Sequence, residues 1–143
     1  MPVRSASAEW KGDLKGGKGE VSTETGVLKS VAYNFSSRFE QGKGTNPEEL
    51  IAAAHAACYS MALSAGLSGA GHKVESVATT ARVHIVQEGG GFKISKIELE
   101  TEAKVAGIDE AAFKKAAEDT KTGCPVSGAL KSVPMTLTAR LKR

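Results

Sequence analysis

Residues 45–69 read TNPEELIAAAHAACYSMALSAGLSG, and the fold turns on whether this stretch is a helix and on what covers it. Asn46 stands as an N-cap, Pro47 suits the first helical position, and Glu49, three residues after Asn46, can complete a capping box. The form Asn-x-x-Glu departs from the usual Ser/Thr-x-x-Glu, so the box itself is a weaker signal than the cap. A helix over about 47–67 follows, ended by glycines at 66, 69 and 71. Its apolar residues, among them Leu50, Ile51, Ala54, Ala57, Cys58, Met61 and Ala65, occupy most of the circumference, the pattern of a helix buried on nearly every side. One small domain surrounds such a helix with difficulty, whereas a second subunit does so readily, and the pattern points to an obligate dimer.

Upstream, the chain reads as short strands and turns: Val3 to Trp10, the glycine-rich KGGKGE, then Glu20 to Thr25 and Val27 to Phe39. KGGKGE lacks the G-x-x-x-x-G-K-[ST] spacing and no helix follows it, so it is a hairpin turn rather than a phosphate loop. Downstream the period changes to two: Val77, Thr79, Ala81, Val83 and Ile85 alternate with polar neighbours, as in a half-exposed antiparallel strand. A triple glycine at 89–91 turns the chain into a second strand, Phe92 to Val105, whose parity shifts between Ile94 and Ile97 and predicts a bulge near Ser95. Gly107 to Thr122 is an amphipathic helix with Ile108, Ala112, Phe113, Ala116 and Ala117 inward. Cys124 and Pro125 open a short helix to about Lys131, and Met135 to Leu141 alternate in a last strand.

A chain of 143 residues is one domain's worth, and an α+β domain over 1–143 is expected. Basic residues exceed acidic ones by three and are scattered from Arg4 to Arg143, which argues against nucleic acid as a partner. No apolar h-region follows the early charge, so a cytoplasmic protein is expected. Residues 50–71 carry no formal charge with His neutral, but they are Ala, Ser, Gly and His rather than Leu, Ile, Val and Phe. A buried helix without membrane contact is the reading. Two cysteines in a reducing compartment argue against a structural disulfide.

The cysteines have different settings. Cys124 precedes Pro125 at a helix start, where free backbone N–H groups and the helix dipole favour a thiolate. Cys58 lies turns inside an apolar helix, where burial raises its pKa. Local physics therefore makes Cys124 the nucleophile, and Cys58 takes that role only beneath a fixed cation. Arg38, between Phe35 and Phe39 at the end of a strand, is the candidate, with a carboxylate at Glu48 or Glu49 to orient it. The alternatives stay open at this point, since a buried free cysteine is commonly a small hydrophobe.

Read together, TNPEELIAAAHAACYSMAL, GCPVSGAL, SRFE and GKGEVSTETGVL resemble the OsmC/Ohr family, within it the OsmC (osmotically inducible protein C) branch, from about Trp10 to the C-terminus. The resemblance implies an intertwined homodimer with antiparallel sheets wrapped around long central buried helices. It also implies a thiol-dependent peroxidase acting on organic hydroperoxides and less efficiently on hydrogen peroxide, in oxidative or osmotic stress. By matching motif, Cys58 is the peroxidatic cysteine, Cys124 the resolving one, Arg38 the thiolate-stabilising residue and Glu48 the carboxylate that orients it, leaving Glu49 to the cap. By the same resemblance, a Cys58–Cys124 disulfide would be reduced by an external dithiol of lipoyl type, with a lipoylated protein as the candidate partner and no metal or organic cofactor. Phe35, Phe39, Tyr59 and Met61 are candidates for an apolar substrate wall or, equally, ordinary core. Two rival readings are a zinc site from His55, Cys58, His72 and Cys124, and a non-catalytic stress-associated binding protein.

Overall fold

The computed structural model describes residues 2–142, which form two compact units divided after Leu50. In the first unit, β1 (Ala6–Lys11), β2 (Lys18–Thr23) and β3 (Val31–Tyr33) make an antiparallel sheet in the order β1-β2-β3. The glycine-rich stretch is the hairpin turn expected of it. Asp13 is its anchor: its carbonyl accepts from Gly17 N–H at 3.0 Å and its carboxylate from Gly16 N–H at 2.7 Å. A Cβ on Gly17 would stand 2.4 Å from the Asp13 carbonyl oxygen, so only glycine fits there.

The expected strand over Val27 to Phe39 is cut short. After β3 the chain turns into a five-residue helix, α1 (Phe35–Phe39). Asn34 caps it: its side chain accepts from Ser37 N–H while the Ser37 hydroxyl accepts from Asn34 N–H, both at 2.8 Å. This reciprocal cap overrides the strand-like alternation of the aromatic residues. Arg38 thus sits on a helix rather than at a strand end.

Helix α2 (Pro47–Gly69) begins in the first unit and continues through the second. Asn46 caps it through Glu49 N–H at 2.7 Å, but the Glu49 carboxylate accepts from the Thr45 hydroxyl instead of closing a box on Asn46. Within the second unit α2 is not buried all round. His55, Tyr59, Leu63 and Leu67 form one buried stripe at four-residue spacing, while Ala54, Ala57, Met61 and Ala65 lie exposed on the other side. Small alanines leave the circumference apolar without dictating which arc one chain covers, and the uncovered arc is the part of the helix that a single domain is expected to leave bare. α2 has the length and apolarity to cross a membrane, with mean hydropathy 1.5, yet this stripe is packed into a protein core.

Strands β4 (Lys73–Glu88), β5 (Gly91–Ala106) and β6 (Met135–Lys142) form the second sheet. The bulge falls where parity predicted it: His84 pairs with Lys96 and Ile85 with Ile94, leaving Ser95 unpaired. β6 joins β5 in parallel, not antiparallel. Two helices, α3 (Glu110–Gly123) and α4 (Pro125–Ala129), intervene between these strands, and a crossover of that length permits parallel pairing where a hairpin cannot. Ile97, Leu99, Ala103 and Val105 of β5 meet Tyr59, Leu63 and Leu67 of α2 and Phe113 and Ala117 of α3 in one core.

Candidate active site

The first unit assembles the charged part of the expected site. One turn of α1 places Arg38 opposite the first turn of α2, and its Nε and Nη2 donate to the two oxygens of Glu48 at 3.1 and 3.0 Å. The pair is bidentate, the geometry that fixes a guanidinium plane. Glu48 is buried, whereas the Arg38 side chain keeps 35% of its exposure. The loop between the helices is tied down around them. Ser37 Oγ donates to Thr45 O at 2.9 Å, Asn46 Nδ2 donates to Ser37 O at 2.9 Å, and Thr45 N–H donates to Ala32 O at 3.0 Å. Phe35 and Phe39 stack at 5.0 Å between centroids, and the Arg38 guanidinium lies 5.0 Å over the Phe39 ring. With Trp10, Leu14 and Tyr33 these residues line an apolar cleft of about 250 Å³. Trp10 and Leu14 escaped sequence reading because they arrive from the hairpin, far away along the chain.

The second unit assembles the sulfur chemistry. Cys58 and Cys124 are both free thiols, Cys58 half-buried and Cys124 buried. Cys124 ends α3, its N–H donating to Thr120 O at 3.1 Å, and caps α4, its sulfur accepting from Ser127 N–H at 3.3 Å. Burial pushes the Cys58 thiol up; the Val126 N–H at the start of α4 pulls it down, and a hydrogen bond to Cys124, together with that group's charge, pushes it up again. The structure thereby brings the two sulfurs together around the start of α4, and within this unit none of the groups acting on Cys58 is a cation.

Two residues given no catalytic part by sequence complete this cluster. Ser127 Oγ lies 3.1 Å from Cys124 Sγ and 2.7 Å from His55 Nε2, and all three residues are buried. The spacing C-P-V-S, which sets a hydroxyl at the third helical position after Cys124, was the available signal.

The remaining candidates separate. Tyr59 is wholly buried with its hydroxyl donating to Ala117 O at 2.9 Å, and burial raises its pKa; it is core, not pocket wall. Met61 is 76% exposed on the uncovered side of α2. Among the described residues no group of three or more His, Cys, Asp and Glu side chains can hold a metal ion, and His55 is engaged by Ser127.

The chain is 52% identical over 139 residues to Peroxiredoxin OsmC of Escherichia coli (strain K12), covering 97% of this chain and 96% of that protein. It is 35% identical over 99 residues to the Organic hydroperoxide resistance protein of Xanthomonas axonopodis pv. citri (strain 306), 68% of each chain. A crystal structure of an organic hydroperoxide resistance protein from Elizabethkingia anophelis matches with a TM-score of 0.70 and 28% identity over 99% of both chains. The family described as OsmC-like protein matches residues 40–138, a span that holds Glu48, Cys58 and Cys124 and begins just after Arg38. On that match and on identity along nearly its whole length, the chain belongs to the OsmC-like protein family.

Proposed function

We propose that this protein is a thiol-dependent peroxidase that reduces organic hydroperoxides, and hydrogen peroxide less efficiently, in stress defence. The observation that carries the reading is the meeting of two free thiols at the start of α4, one of them half-exposed. The names of the relatives support the same substrate class. Cys58 attacks the terminal peroxide oxygen: an S–O bond forms, the O–O bond breaks, and ROH leaves with a proton. Cys58 is then a sulfenic acid. Cys124 attacks its sulfur, hydroxide leaves as water, and the Cys58–Cys124 disulfide is reopened by an external dithiol of lipoyl type. No metal or organic cofactor enters.

Arg38 is the cation this cycle requires, stabilising both the Cys58 thiolate and the alkoxide that develops as the O–O bond breaks, with Glu48 holding the guanidinium plane. The cleft lined by Phe35 and Phe39 beside it suits an alkyl group. The exposed apolar side of α2, centred on Ala57 and Met61, supports a homodimer in which two copies complete the sites. The packed stripe on the opposite side supports a helix that serves a protein core rather than a membrane span.

Rapid mixing of the reduced protein with cumene hydroperoxide tests the reading. Cys58→Ser is expected to abolish peroxide consumption, while Cys124→Ser accumulates a sulfenic acid that dimedone traps. Equal loss in both variants with nothing trapped would overturn the roles. The same purified protein should lack a stoichiometric metal.

A further inference from the structure

His55 and Ser127 form a buried polar pair in a largely apolar core, next to the sulfur that must attack in the second step. His55 is 0% exposed and Ser127 2%. Capping α4 does not require them, because the Ser127 backbone N–H alone satisfies the cap on Cys124. Two apolar side chains would fill the same space without the desolvation that a buried hydroxyl and imidazole suffer. Their presence calls for a use.

The direction of the chain follows from one unpaired atom. His55 Nδ1 is buried with no hydrogen-bond partner among the described residues. Burial lowers the His55 pKa, so the ring is neutral and carries a single N–H. On Nδ1 that hydrogen would be a buried donor with no acceptor, the rarer and costlier defect; on Nε2 it points at Ser127 Oγ, 2.7 Å away. A hydroxyl and a thiol in contact can donate either way. In the thiol form Cys124 S–H donates to Ser127 Oγ at 3.1 Å; once that proton is gone and Ser127 Oγ has accepted from His55, the Ser127 hydrogen is free for the sulfur, which also receives Ser127 N–H at 3.3 Å.

We propose that His55 and Ser127 form a donor chain that holds Cys124 as the attacking thiolate of the resolving step, Ser127 acting directly on the sulfur and His55 positioning Ser127. The proposal rests on the peroxidase reading for its use and on the geometry alone for the chain itself. In the step it serves, Cys124 Sγ⁻ forms the S–S bond while the S–O bond of the Cys58 sulfenic acid breaks. Both electrons of that bond leave with oxygen, and the hydroxide takes a proton to become water; Cys124 is oxidised and Cys58 reduced. The thiolate, not the thiol, is the competent nucleophile. The titratable groups around this cluster are Cys58, His55 and Tyr59 of α2, Tyr59 in turn sensing Glu118 of α3, together with Lys121 and Lys131, which line a cavity that Ser127 also lines.

Ultraviolet thiolate absorbance of Cys58→Ser, titrated against pH with Cys58→Ser/Cys124→Ser as blank, reads Cys124 without any peroxide. Adding Ser127→Ala should raise its midpoint by about one pH unit, the loss of one donor to a buried anion. Ser127→Thr should restore it. His55→Phe should raise it, and His55→Gln, which keeps a donor toward Ser127, should bring it back. Midpoints that agree across Ser127→Ala, His55→Phe and the parent, each verified as folded by its thermal transition, would overturn the proposal. In the chain with both cysteines, Ser127→Ala should slow disulfide formation about tenfold after cumene hydroperoxide while Cys58 still oxidises. A protein in which Cys58 never oxidises would defeat the peroxidase reading and leave the titration to decide the donor chain.

Discussion

The Arg38–Glu48 pair and the Cys58–Cys124 pair are built by opposite means. The first is ionic, held by two hydrogen bonds of about equal length, with a half-exposed guanidinium and a buried carboxylate. The second is sulfur in a largely apolar core among neutral partners: Val126 N–H donates at Cys58, Ser127 N–H donates to Cys124 Sγ, and the Cys124 thiol donates to the Ser127 hydroxyl. Each is satisfied as structure and incomplete as chemistry. Cys58, whose thiol burial pushes up, needs a cation brought to it to react as a thiolate at neutral pH, and a guanidinium with no nucleophile does nothing. The difference teaches how the proposed mechanism divides its labour: the thiol core supplies geometry, and Arg38, on a separate element, is the proposed source of charge.

Removing the charge tests that division hardest. Arg38→Ala is expected to slow Cys58 oxidation by about 10²–10³-fold at neutral pH, the range for losing a preorganised charge at a developing anion. The pH dependence carries the sign. Because burial pushes the Cys58 thiol up, the variant's oxidation rate should climb as pH rises into the alkaline range, whereas the parent is flat near neutrality. Stopped-flow oxidation rates across pH measure both. An unchanged rate in Arg38→Ala would assign the activation of Cys58 to a different cation.

Glu48→Gln cuts the same division more gently. The guanidinium stays, but its plane loses a charged, two-point hold, and about a tenfold slower oxidation is expected from misplacement alone. Rates equal to Arg38→Ala would mean that the carboxylate matters for more than aim. Rates equal to the parent would mean that the loop hydrogen bonds from Ser37 and Asn46 already fix the arginine.

The two regions also differed in how far they could be read from the sequence. The thiol side was legible because its signals are local: Asn46 and Pro47 start α2, Cys124 and Pro125 start α4, and the parity shift marks the Ser95 bulge. The arginine side was legible in its residues but not in its backbone. Asn34 and Ser37 stand at cap spacing, yet the alternation around Tyr33 and Phe35 imitates a strand. The covered arc of α2, the parallel pairing of β6 and the His55–Ser127 contact were not legible. Alanine carries no directional signal, a crossover strand looks like any other strand, and residues 72 positions apart share no local pattern.

Tyr59 gives the smallest and most diagnostic test, because it neighbours Cys58 in sequence while belonging wholly to the core. Its ring is 0% exposed, and its hydroxyl ties α2 to α3 through Ala117 O. If it lined the path of an alkyl hydroperoxide, Tyr59→Phe would shift the concentration dependence of Cys58 oxidation. As a core residue it should instead cost about 1 kcal/mol of stability, the usual net value of one such hydrogen bond, since the Ala117 carbonyl loses its side-chain partner. Urea unfolding separates the cases: the midpoint falls at constant slope while oxidation kinetics stay those of the parent. A kinetic change at constant stability would move Tyr59 out of the scaffold and into the reactive region, and would mean that the thiol core does more than supply geometry.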